Sequence, residues 1–243
     1  MKLPVTPVLL CVSLWISPAD LARRLGQADE LAARARAAEP AQKEQAVEAA
    51  LEAYAELLAL RPKDRAWVPK VRRRRAALLK RAGRVRAALA EHDAILRGPA
   101  RRRDRARALR DGARVLQKGG DFTAAVKRCR RVVEEFGDLG SVAAQACLLE
   151  GRCHEAMARA QLAGRAYRVV VKRYHAEAKH GIAAYDALAL LAIEARQPAQ
   201  ARRWLQACAE RYGKRAARKD KRGQYLGRLL GEMKAPARLA TAE

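Results

Sequence analysis

At 243 residues the chain is long enough for one or two compact domains, and 50% of it is hydrophobic while only 5% is aromatic. Alanine, leucine, arginine and glutamate outnumber β-branched and aromatic residues, which argues for helix throughout and against a sheet-based fold. Lys and Arg number 51 against 26 Asp and Glu, so the net charge of +25 favours anionic partners.

The first nineteen residues stand apart. Lys2 is followed by an apolar run from Val5 to Ile16, then Ser17, Pro18 and Ala19 ahead of Asp20. Small residues three and one before a cleavage point suit signal peptidase, and a run this short does not span a bilayer. We read residues 1–19 as a secretory signal that is cleaved. Pro4 and Pro7 fit the alternative, an apolar N-terminus that is retained. No other stretch is apolar enough for a membrane span.

From Asp20 the chain reads as five helical hairpins, over about 20–62, 63–100, 101–137, 138–175 and 176–213. Their signature is an internal repeat. Ala50, Ala88, Ala125, Ala163 and Ala201 fall 38, 37, 38 and 38 residues apart. Four residues after each comes Tyr54, His92, Cys129, Tyr167 or Leu205, and three further on Leu57, Ile95, Val132, Val170 or Cys208. Offsets of 4 and 7 put all three on one helical face, so each unit offers a small residue and two mostly larger ones. Such a period denotes stacked helical hairpins rather than one globular core.

Turn signals precede most of these alanines. They are Gly83, then Gly119-Gly120-Asp121, then Gln197-Pro198. Each first helix has its own apolar stripe, such as Leu109, Ala113 and Leu116, or Tyr185, Leu188, Ala189 and Ala192. Phe136, Tyr174 and Tyr212, again 38 apart, are placed to seal one hairpin against the next. Beyond the repeats, Tyr225, Leu226, Leu229, Leu230 and Met233 form an amphipathic pattern over 214–234, a C-terminal capping helix, and 235–243 reads as a disordered tail. The fold class expected is all-α, a right-handed α-solenoid of about five hairpins.

The run Gly120–Val133 resembles the turn and second helix of the tetratricopeptide repeat. Ala50, Tyr54, Leu57 and Pro62 resemble its second helix and terminating proline. The stretch Gly151–Tyr174 is similar to the longer-period version in bacterial cell-envelope proteins, such as outer-membrane assembly lipoproteins and the coordinator of the Tol-Pal system. The resemblance covers roughly residues 20–213. It departs in its period, which is about 34 in the family, in Pro40 interrupting the first unit, and in Arg72 and Arg75, which occupy places where the family buries apolar side chains.

That resemblance implies a protein-interaction scaffold whose first helices line a concave groove, in a periplasm or equivalent envelope compartment. Residues 63–137 carry 24 basic and 8 acidic residues, most of the chain's imbalance. Lys70, Arg73, Lys80 and Arg81 form one stripe along a first helix, and Arg107, Arg110, Arg114 and Lys118 another. With Arg152 in the fourth unit, these are the candidate partner-binding residues. The groove then becomes mixed through Gln145, Leu148 and Glu155 to Asp186, Leu190, Ile193 and Glu194. The expected partner is another protein or peptide that is acidic, a C-terminal carboxylate, or an anionic envelope polymer. Replacing Arg107, Arg110 and Arg114 together by Glu is expected to abolish capture without unfolding the chain.

Other chemistries find little support in the residues. His92, His154, His175 and His180 are scattered, no Gly-rich phosphate loop follows a strand, and no CxxC or HExxH motif occurs. No catalytic, metal or cofactor site is expected. Cys129, Cys147, Cys153 and Cys208 all fall on packing faces, where they read as small buried hydrophobes. A bridge between Cys129 and Cys147 is the alternative. The rival function is a cytoplasmic RNA-binding repeat protein gripping phosphates through Arg72–Arg75, Arg101–Arg103 and Lys214–Arg222. The aromatics needed to stack bases instead recur at packing positions.

Overall fold

The structure is a computed structural model that describes residues 17–60 and 67–213. Residues 1–16 of the expected signal, the capping helix over 214–234 and the tail over 235–243 lie outside the described residues. Among the described residues there are ten helices and no strand. They pair as α1 (Pro18–Ala37) with α2 (Pro40–Ala59), and α3 (Trp67–Arg81) with α4 (Val85–Arg97). Next come α5 (Arg102–Lys118) with α6 (Phe122–Phe136), then α7 (Gly140–Ala156) with α8 (Ala160–Arg173). The last pair is α9 (Ala178–Glu194) with α10 (Pro198–Tyr212). None of them is long and apolar enough to cross a membrane.

Local chemistry sets the helix starts. The Ser17 hydroxyl accepts from the Asp20 amide at 3.0 Å, and Asp121 caps α6 by accepting from the Ala124 amide at 2.9 Å. Pro40 and Pro198 occupy the first turns of α2 and α10, where the missing N–H costs nothing. Pro40 therefore divides the first unit into a hairpin instead of disrupting it.

The turns inside hairpins two to five share one geometry. Gly83, Gly120, Ala158 and Arg196 each adopt positive φ, between 55° and 85°. In each, the amide one residue later bonds back across the turn. Arg84 reaches the Leu79 carbonyl, Asp121 reaches Leu116, Arg159 reaches His154 and Gln197 reaches Ala192. This is the six-to-one closure of a Schellman motif, repeated at 37, 38 and 38 residues. In the fourth hairpin it is built without glycine, which is why that turn carries no signal in the sequence.

The repeated alanines are fully enclosed. Ala50, Ala88, Ala125, Ala163 and Ala201 all have 0% exposure, and they sit where the two helices of a hairpin meet the next pair. Tyr54, His92, Cys129 and Tyr167 are buried beside them, while Leu205 in the last described unit is half-buried. Successive first helices also touch, α1 with α3, α3 with α5, α5 with α7 and α7 with α9, whereas second helices have no comparable contact. Packing that is closer on one side curves the stack, so the first helices form its inner face.

The second unit explains how it keeps arginines in its packing layer. Glu91 of α4 is buried and receives Arg72 at 2.9 Å and Arg75 at 2.5 Å. Two cations sharing one buried carboxylate satisfy a layer that apolar side chains would otherwise fill.

Candidate functional site

The inner face of the second and third hairpins holds a trough of about 710 Å³ between α3 and α5. Two contacts fix how these helices lie. Arg73 Nε approaches Asp111 Oδ2 at 3.5 Å, and Lys118 Nζ donates to the Lys80 carbonyl at 3.0 Å. Both pairs are 38 residues apart, so α3 and α5 run parallel in repeat register.

Of the nine residues expected in the groove, Lys70, Arg73, Lys80, Arg107 and Arg114 line this trough. Arg81 is exposed but outside the lining. Lys118 spends its ammonium on the carbonyl at the end of α3, a favourable place for a cation. Arg152 lies in a separate, smaller cavity of about 270 Å³, with Leu148, Glu155, Leu190 and Glu194, so the groove does turn mixed there.

Arg110 is different, because its side chain points into the packing. It is 9% exposed, donates from Nε and Nη2 to Asp111 Oδ1 at 2.9 and 2.7 Å, and from Nη1 to Gln145 Oε1 at 2.8 Å. Gln145 in turn lies 3.1 Å from His180 Nε2, which joins α5, α7 and α9 in one polar chain. A triple Glu replacement that includes Arg110 would therefore break this network, contrary to the expectation that the fold survives it. Spacing placed Arg110 on the stripe, but at the groove's edge a turn of a few tens of degrees separates a solvent-facing side chain from a buried one.

Six further polar residues line the trough: Arg74, Arg101 and Arg103, which the sequence offered only as basic runs for RNA, His92, which it read as a packing residue, and Asp104 and Asp111, which it did not single out. A signal existed for Arg103, which continues the α5 stripe four residues before Arg107. His92 gave none, since it arrives from α4 as a packing residue whose edge reaches the trough.

The lining carries more cations than its carboxylates pair with. Arg74 pairs with Asp29, and Arg73 with Asp111. Lys80, Arg103, Arg107 and Arg114 form no ion pair among the described residues. Burial and then the nearby Arg73 and Arg103 hold the Arg107 guanidinium below its ordinary pKa. Burial and then Arg114 lower Lys80, and burial and then Arg110 lower Arg114. Like charges crowded into a partly desolvated trough raise its potential, and an anion relieves that repulsion. His92 is pushed down to about 4, chiefly by burial, so it is neutral at pH 7, and its Nδ1 has no hydrogen-bond partner among the described residues.

The cysteines take no part in the trough. Cys129, Cys147, Cys153 and Cys208 are free, buried thiols. Burial raises Cys147 to about 12 and Cys153 to about 11, far from thiolate reactivity at neutral pH. Among the described residues no cluster of three His, Cys, Asp or Glu could hold a metal ion.

No family model matches the sequence, and no curated protein does. Solved structures do match over most of the chain. One crystal structure of MamA superposes with a TM-score of 0.54 at 17% identity, covering 84% of this chain and 100% of that one. A second, of the MamA protein, gives 0.51 at 16% identity, covering 82% and 97%. Likeness at this identity speaks to architecture. The chain has an all-α solenoid fold of stacked helical hairpins, and these two solved structures share that architecture.

Proposed function

We propose that this protein is a non-catalytic interaction scaffold that captures an acidic peptide segment of a partner protein on its concave face. The observation that carries this reading is the set of unpaired cations, Lys80, Arg103, Arg107 and Arg114, converging on one trough of about 710 Å³. Arginines so placed suit carboxylates, which they bind bidentately where geometry permits. The lining contains no hydroxyl or thiol, and of its two carboxylates, Asp104 and Asp111, the second is already held by Arg110, so the arrangement favours binding over covalent chemistry. An anionic envelope polymer would meet the same cations without the directional fit of a peptide.

For the RNA alternative, none of the Tyr, Phe or Trp residues among the described residues is exposed, which leaves no stacking platform there. On sequence grounds alone we place the protein in the bacterial cell envelope, and N-terminal sequencing of an exported chain beginning at Asp20 tests that.

The binding reading is tested by fluorescence anisotropy with a labelled glutamate-rich peptide and the double variant Arg107→Glu/Arg114→Glu. Arg110 stays untouched because it belongs to the packing. The variant should lose at least about tenfold in affinity, or about 1.4 kcal/mol, with an unchanged helical circular-dichroism spectrum. Equal affinity in variant and wild type would refute the reading.

A further inference from the structure

The concave face carries a second polar feature beside the trough. Arg110 Nη1 on α5 donates to Gln145 Oε1 on α7 at 2.8 Å, and Gln145 Nε2 lies 3.1 Å from His180 Nε2 at the start of α9. Each step is 35 residues long, so these contacts cross three successive first helices at one pitch. Contacts between first helices are what curve the stack. A tie spanning three of them therefore bears on the shape of the whole face.

The direction of these hydrogen bonds is fixed. A guanidinium only donates, so Arg110 holds the Gln145 amide with its oxygen toward α5 and its N–H groups toward α9. His180 Nε2 must then accept, which requires a neutral ring with its proton on Nδ1. Protonation puts an N–H on Nε2, and two donors then meet 3.1 Å apart. Gln145 cannot turn its oxygen to His180 without turning its N–H groups onto Arg110. Ser141, 3.3 Å from the same ring nitrogen, serves either state, because a hydroxyl both donates and accepts.

The elements around His180 favour the neutral ring at pH 7 yet leave it within reach of protons, since it is half-buried. From α7 it meets the uncharged Ser141 and Gln145. Arg173 at the end of α8 lies against Gly137 and the ring of Tyr174. Tyr212 of α10 packs on Gly181 and spends its hydroxyl on the His175 carbonyl. Burial is the main influence on the pKa of His180 and lowers it. Glu177 raises it, Lys179, Arg110 and Arg114 lower it further, and the balance lies below the ordinary 6.5.

We propose that Arg110, Gln145 and His180 form a proton-operated latch on the concave face. The neutral ring joins the third, fourth and fifth hairpins, and the protonated ring forces Gln145 to give up one neighbour or the other. Arg110 keeps Asp111 in both states, so the loosening falls on α7 and α9. The latch does not depend on what the trough binds.

The test is nitrogen NMR of the histidine rings in the full chain, joined to amide hydrogen exchange. At about pH 7.5 the Nε2 of His180 should resonate as an unprotonated nitrogen, and a proton found there would overturn the latch. Between about pH 7.5 and about pH 5.5 the amides of α7 and α9 should lose about tenfold in protection, beyond the intrinsic pH dependence of exchange. Gln145→Glu offers an acceptor to Arg110 and to protonated His180 at once. Proton binding at His180 should then tighten at least about tenfold, and the loss of protection should disappear. His92 and His154 titrate in both chains and cancel from the comparison. An equal loss in variant and wild type would overturn the proposal. Should the variant fail to fold, the tautomer of His180 in the wild type still decides it.

Discussion

The ring of Tyr167 on α8 rests against Gly151 on α7 so closely that a β-carbon at that glycine would overlap it. Tyr167 is 1% exposed and has no space to withdraw into. Gly151→Ala should therefore cost about 1–3 kcal/mol as an overpacked contact, measured by denaturant unfolding. Adding Tyr167→Leu, which removes the ring, should recover part of that loss relative to Tyr167→Leu alone. Additive effects would show that the two residues are not coupled.

Ala158 and Arg196 hold positive φ of 55° and 56°, where the equivalent residues of the second and third hairpins are Gly83 and Gly120. An L-residue pays about 1 kcal/mol in that region, partly offset by the greater freedom of glycine in the unfolded chain. Ala158→Gly should thus leave stability unchanged or raise it by up to about 1 kcal/mol. Gly120→Ala should lower it by about 1 kcal/mol. A thermal shift in the opposite sense for either variant would contradict the turn geometry.

These turns show what the sequence reveals and what it hides. Five alanines at a fixed period disclosed the hairpin stack, because a residue that must vanish between helices leaves a mark every unit, and all five are at 0% exposure. The fourth turn left no mark, since the exposed Ala158 takes the left-handed conformation there while the Arg159 amide closes the turn on the His154 carbonyl, and neither needs a glycine. In the trough, helical spacing found Arg73, Lys80, Arg107 and Arg114 but could not separate them from Arg110, whose fate is decided by Asp111 and by Gln145 on the next hairpin. Arg72 and Arg75 read as misfits for the same reason. Their partner Glu91 lies 19 residues beyond Arg72 and 16 beyond Arg75, beyond the reach of any local pattern.

Glu91 accordingly supports two arginines at once. Its side chain is 8% exposed, and those of Arg72 and Arg75 are 28% and 29%. Glu91→Gln keeps the shape but strands both cations. The loss should be about 1–3 kcal/mol, below the range for fully buried pairs because water still reaches the guanidinium groups. Arg72→Met/Arg75→Met/Glu91→Met should unfold at higher denaturant than Glu91→Gln. If Glu91→Gln is neutral, the carboxylate is not what holds this layer.

His92 makes stability depend on pH. Its folded pKa is depressed to about 4 from an ordinary 6.5, chiefly by burial, so the unfolded state binds the proton more readily. Stability should rise with pH between about 4 and 6.5 and be complete above 6.5, with about 3 kcal/mol at stake over that window. Burial also lowers His154 and His180, which add in the same sense. His92→Gln should flatten the slope of unfolding free energy between pH 4 and 6.5. An unchanged slope would show that His92 is not desolvated.

The most direct measurement of the central claim is photo-cross-linking of a benzophenone-bearing acidic peptide to the full chain, with the adducts located by mass spectrometry. The account predicts adducts on the trough-facing side of α3 and α5, near Lys80, Arg107 and Arg114, that disappear at high salt as screened charge attraction requires. Adducts confined to the second helices, or insensitive to salt, would contradict it.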